Sequence, residues 1–128
     1  MRTLKRIGRF HELVQECDKL SLDVIAIQEH RWKTDLDIAS LTDFNNLYKM
    51  IYSSADDRGG GGVGFLIKKS IVHTVTSVKK VSDRILQIIL NSNPFIRVVV
   101  VYAPTEDKSP EVKDQFYDTL SQLLNTAP

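Results

Sequence analysis

Two continuous apolar runs stand out along the chain, and each ends in a polar residue. One is Val24-Ile25-Ala26-Ile27, followed by Gln28 and Glu29; the other is Val98 to Val101, followed by Tyr102. A short run that stays apolar at successive positions is the pattern of a strand buried on both faces. Such a strand presents its first polar side chain where it leaves the core. Glu29 and Tyr102 are therefore placed at sheet ends, where ligands bind in layered folds.

The remaining periodicities predict two helices and further strands. Phe10, Leu13, Val14, Cys17 and Leu20 recur at offsets of three and four, one apolar stripe of a helix from about Ile7 to Leu20. A second helix over 110–125 follows Ser109 as N-cap, with Pro110 at its first position, Glu111 favouring the dipole, and a stripe of Val112, Phe116, Leu120, Leu123 and Leu124. Residues 30–46 read as a surface loop with a short helical turn. Strands are expected at 47–54, with Tyr48, Met50 and Tyr52 on one face, at 63–68, at 72–80, and at 84–90, with Leu86, Ile88 and Leu90 on one face. Asn91-Ser92-Asn93-Pro94 is a tight turn by its chemistry. The order is helix, strand, about five antiparallel strands, helix, which is α+β. The expectation is one mixed, mainly antiparallel sheet with both helices on one face.

Composition narrows the class without choosing a function. At 128 residues the chain is read as one domain or part of one, long enough for a core. Seventeen basic and sixteen acidic residues give a net charge of +1, so the balance neither supports nor excludes a nucleic-acid partner. The single Cys17 forms no intramolecular disulfide and suits a reducing compartment. No apolar run reaches the ~18 residues of a membrane span, and no secretory leader is visible. The reading is a soluble intracellular protein without a membrane partner, nuclear or cytoplasmic.

Each candidate residue has a chemical and a structural reading. Glu29 offers an oxygen ligand to a hard cation such as Mg²⁺, which often takes one or two carboxylates with water and phosphate completing its shell; a lone strand-end glutamate is more often solvated. Tyr102 can donate to a phosphate oxygen, or stand as a strand-end tyrosine with a wet hydroxyl. Thr105 can add a hydroxyl contact or shape the turn after Pro104. His30 points away from Glu29 by strand alternation. Trp32 can stack on a base or anchor its loop. Cys17, on the helical stripe, reads as a packed thiol. Arg2, Lys5, Arg6 and Arg9, with Lys68-Lys69 and Lys79-Lys80, can meet a nucleic-acid backbone or form solvated ends. The glycines of Gly59–Gly62 lead into a strand rather than a helix N-terminus, so a hairpin loop fits them better than a phosphate cradle.

Four blocks in order, MRTL, LDVIAIQEHRW, GGGGVGFLIKK and RVVVVYAPTED, cover nearly the whole chain in their spacing. They resemble the endonuclease/exonuclease/phosphatase superfamily, and within it the apurinic-endonuclease-like domain of non-LTR retrotransposons, in the clade of craniofacial-development-protein-2-like domains. The resemblance implies a Mg²⁺-dependent phosphodiesterase that nicks DNA, on a four-layer α/β sandwich. It implies that Glu29 binds the metal and that Tyr102 contacts the scissile phosphate. Thr105 stands where many members carry asparagine. The family continues with Gly-Asp-Phe-Asn and Ser-Asp-His motifs, which these 128 residues lack.

The chain therefore reads as the N-terminal half of such a domain, residues 1–128, truncated and inactive by itself, with Mg²⁺ binding weak or absent. The alternative is a non-catalytic binding or assembly module derived from it. On the one-sheet reading, the sheet face without helices is uncovered, so self-association or a partner chain is expected there.

Overall fold

A computed structural model describes residues 7–43, 45–55 and 61–126. The elements are α1 (Ile7–Lys19), β1 (Val24–Gln28), β2 (Ala39–Thr42), β3 (Tyr48–Tyr52), β4 (Val63–Lys68), a 3₁₀ helix (Lys69–Thr74), β5 (Val75–Ser82), β6 (Ile85–Leu90), β7 (Ile96–Val101) and α2 (Pro110–Asn125). The α+β class holds. The strands, however, form two antiparallel sheets, ordered β1-β4-β3-β2 and β5-β6-β7.

The burial pattern shows why. In β4, Val63, Phe65 and Ile67 face one way, and Leu66 faces the other. The first three pack with Ile51 against Leu86, Ile88 and Val100 of the second sheet. Leu66 packs with Ile27, Tyr48 and Met50 under Phe10, Val14 and Cys17 of α1. On the far side of the second sheet, Ile85, Val99 and Val101 meet Phe116, Leu120 and Leu123 of α2. The layers therefore run α1, first sheet, second sheet, α2. Each fully buried side chain of this size contributes about 1.5–3 kcal/mol.

This corrects three expectations. The helices do not share a face; each covers the outer face of a different sheet. Among the described residues the two inner sheet faces cover each other, and each outer face carries a helix. The surface on which self-association or a partner chain was expected is thus inside the core. The 3₁₀ helix makes the switch: it ends β4, packs half-buried Ile71 and Val72 on the inter-sheet cluster, and delivers β5 to the other sheet.

Smaller differences have local causes. The loop at 30–46 contains β2, whose Ala39–Thr42 pairs with Lys49–Tyr52. The β2–β3 turn is organised by the Asp43 carboxylate, which accepts the N–H groups of Asn45, Leu47 and Tyr48 at 3.0, 2.8 and 2.7 Å. The first helix stops at Lys19 and leaves Leu20 exposed. Val112 and Leu124 of the second stripe are also exposed. Burial raises the Cys17 thiol above its usual range, which fits a packing role. Arg2, Lys5, Arg6, Gly59 and Gly60 lie outside the described residues.

Ser109 caps α2 as its side chain predicts, accepting the Val112 N–H at 3.3 Å. Ser109→Ala is expected to destabilise by about 1 kcal/mol in a urea unfolding titration. An unchanged midpoint would show that the cap contributes nothing.

Candidate active site

The site forms where β1 and β7, from different sheets, end side by side. Beyond Gln28 the first of these strands turns sharply. Glu29 and Arg31 take left-handed φ values of 55° and 65°. The turn is held by the glycine loop: Gly62 O accepts the Glu29 N–H at 2.7 Å, and Gly61 O accepts the Arg31 N–H at 2.9 Å. The described glycines therefore buttress the site through their carbonyls, a role that reading them as a plain hairpin loop did not include.

His30, between these two residues, points inward and is fully buried. Its Nδ1 accepts the Trp32 N–H at 2.9 Å, so Nε2 carries the proton and donates it to Ser53 O at 2.8 Å. Burial lowers its pKa to about 4, with its backbone hydrogen bonds opposing the shift. The ring is thus a neutral structural strut. Trp32 anchors the same loop, edge-on to Phe10 and Tyr52 at 5.4 and 5.3 Å between centroids.

β7 arrives from the other side. Gln28 Nε2 donates to Val101 O across the gap between sheets. Tyr102 N–H donates to Arg84 O at 2.8 Å, and Arg84 Nη1 donates back to Tyr102 O at 3.1 Å. The Arg84 guanidinium also lies over the Tyr102 ring, 5.2 Å from its centroid. So held, the Tyr102 hydroxyl donates to Glu29 Oε1 at 2.8 Å, joining residues 73 positions apart. Both side chains are half-buried.

Glu29 and Tyr102 are thus brought together. Thr105 is not bonded to either: it is exposed, and its hydroxyl donates to the Asp107 carboxylate in the turn before α2. Three further contributors escaped the sequence reading: Gln28, Arg84 and the Gly61–Gly62 carbonyls. Gln28 did carry a signal. It shares strand parity with Val24, which faces the other sheet, so a polar residue stands where the alternation calls for an apolar one.

Chemically, the pair is a carboxylate with one oxygen held by a phenol. Among the described residues no group of three or more His, Cys, Asp or Glu side chains gathers to hold a metal. A single carboxylate fits an open, mostly hydrated hard cation rather than a closed cage.

Comparison with known proteins shows the family of the sequence. The sequence matches the endonuclease/exonuclease/phosphatase family over residues 2–127. It is 25% identical over 122 residues to craniofacial development protein 2 of Tragulus javanicus, an alignment covering 94% of this chain and 20% of that protein. The chain thus spans about one fifth of the length of that relative. No solved structure gives a significant match. With the family match running almost end to end over this layered α+β fold, the chain belongs to the endonuclease/exonuclease/phosphatase family.

Proposed function

We propose that the chain is a retrotransposon-derived, DNA-directed phosphodiesterase-type domain whose phosphate-facing end is the Glu29–Tyr102 pair. The observation that carries this reading is the 2.8 Å hydrogen bond between these side chains across the two sheets. In this reading Glu29 would hold a Mg²⁺ ion, which would neutralise charge on a backbone phosphate, and the single Tyr102 O–H would turn from Glu29 to donate to a phosphate oxygen. Thr105 is the third, outlying contact, reached if its hydroxyl leaves Asp107. The family is generally metal-dependent, and a single carboxylate implies weak cation binding for this stretch alone.

Hydrolysis also needs a group to activate water. His30 is buried and bonded at both ring nitrogens, and His73 lies in the 3₁₀ helix between the sheets, so neither is bonded to the pair. Among the described residues neither of these imidazoles therefore serves as the base, and general acid–base catalysis is worth about 10²–10⁴ in rate. The 128-residue chain is therefore expected to bind duplex DNA weakly without cutting it. The measurement is nicking of supercoiled plasmid with Mg²⁺. Nicking that co-purifies with the chain and disappears in Glu29→Ala would show that the residues present suffice.

A further inference from the structure

We propose that the chain carries a second binding site, for a small phosphorylated ligand bearing an N–H or O–H donor, in the cleft between α2 and the outer face of the second sheet. The cleft has a volume of about 410 Å³, within the range of small-molecule sites. Its floor is Gln87, on the central strand β6. Gln87 is only 5% exposed, yet its Oε1 has no hydrogen-bond partner. A buried amide oxygen left unpaired costs about 1–3 kcal/mol. Toward α2 the same face carries Ile85, Val99 and Val101, and a valine or leucine in place of Gln87 would avoid that cost. The unpaired oxygen therefore marks a place built to accept a donor.

The walls supply the charge. Lys79 stands directly opposite Gln87 in the β5–β6 register, and Arg97 stands opposite the next outward residue, Ile89. All four line the cleft, and among the described residues no acidic side chain does. Lys79 forms no ion pair among the described residues, whereas its neighbour Lys80 holds Asp83 at 3.2 Å. The C-terminus of α2 would ordinarily repel an anion. Here Arg97 caps it, donating to the carbonyls of Leu123, Thr126 and Leu124 at 3.1, 2.7 and 3.3 Å. The negative end of the helix is thereby neutralised and the Lys79 ammonium is left for the ligand. Thr119 and Gln122 add polar groups on the helix wall. Arg97 lies at the opposite end of β7 from Tyr102, ~17 Å away at strand spacing, so this cleft is separate from the Glu29–Tyr102 pair.

The test is NMR on the ¹⁵N-labelled chain, following the Gln87 side-chain amide, assigned by its loss in Gln87→Leu. Adenosine 5′-monophosphate is titrated, with adenosine alone and inorganic phosphate alone as separate arms. The monophosphate is expected to shift the Gln87 amide saturably, more strongly than either part alone. Lys79→Gln, and Gln87→Leu followed through the backbone amides of Thr119 and Gln122, are each expected to weaken binding about tenfold or more. Glu29→Gln should leave it unchanged, which separates this site from the proposed nuclease function. A flat titration would overturn the proposal, as would shifts that Lys79→Gln leaves intact. So would a Gln87→Leu variant that is merely more stable while nothing binds the parent chain, the signature of a cleft that holds only water.

Discussion

Gly62→Ala is expected to destabilise the chain by about 3 kcal/mol or more. A Cβ at this position would lie 2.4 Å from Cε1, 2.6 Å from Nε2 and 2.9 Å from Nδ1 of His30. That ring has no free direction in which to move, because it is fully buried and bonded at both nitrogens. Forcing extra volume into a packed site costs about 1–3 kcal/mol. The left-handed φ of +92° adds about 1–2 kcal/mol for any residue with a Cβ. Gly61→Ala supplies the control. Its φ is +71°, but its Cβ would meet the Tyr102 ring at an ordinary 3.7 Å, so only the backbone penalty applies. Urea unfolding of both variants separates the two contributions. Equal losses would mean that His30 yields freely and is not the strut described above. Because Gly62 O also holds the Glu29 N–H, Gly62→Ala should in addition loosen the Glu29–Tyr102 contact.

Acidification is expected to unfold the site from the same residue. The folded pKa of His30, about 4, lies below its ordinary 6.5. The unfolded chain therefore takes up the proton first as pH falls. The stability contributed by the neutral ring is complete above about pH 6.5 and is lost progressively as pH drops through 4. Two and a half pH units at 1.36 kcal/mol each is about 3 kcal/mol. In the structure the added proton would appear on Nδ1, against the Trp32 N–H that it now accepts. Urea midpoints measured from about pH 7 to about pH 4.5 should fall more steeply for the parent chain than for His30→Asn, the difference isolating His30 from the carboxylates that titrate in the same window. NMR of the His30 ring gives an independent reading, since it should stay neutral to about pH 5. A ring that titrates near 6.5 would remove the basis of the prediction.

The elements with strong local periodicity are legible in the sequence. The stripe through Phe10, Val14 and Cys17, the Ser109-Pro110-Glu111 start of α2, and the Tyr48–Met50 and Leu86–Ile88 alternations all face the directions their spacing implies. Glu29 and Tyr102 stood out because each is the first polar residue after an apolar run, and the polypeptide does bring them into contact. β2 was not legible, because Ala39–Thr42 is short and mixed, and it becomes a strand only by pairing with β3.

What tertiary structure alone decided is which sheet each strand joins. Alternation states that Val63, Phe65 and Ile67 share a face, and that Leu86 and Ile88 share one. It is silent on whether those faces lie side by side in one sheet or press against each other from two. The 3₁₀ helix at Lys69–Thr74 settles that by carrying the chain across. The supports of the site, Gln28 on Val101, Arg84 on Tyr102 and Gly62 under His30, are likewise contacts between segments far apart in sequence. Side-chain periodicity is a property of a few neighbouring residues, whereas these contacts arise only when two sheets pack and their strand ends meet.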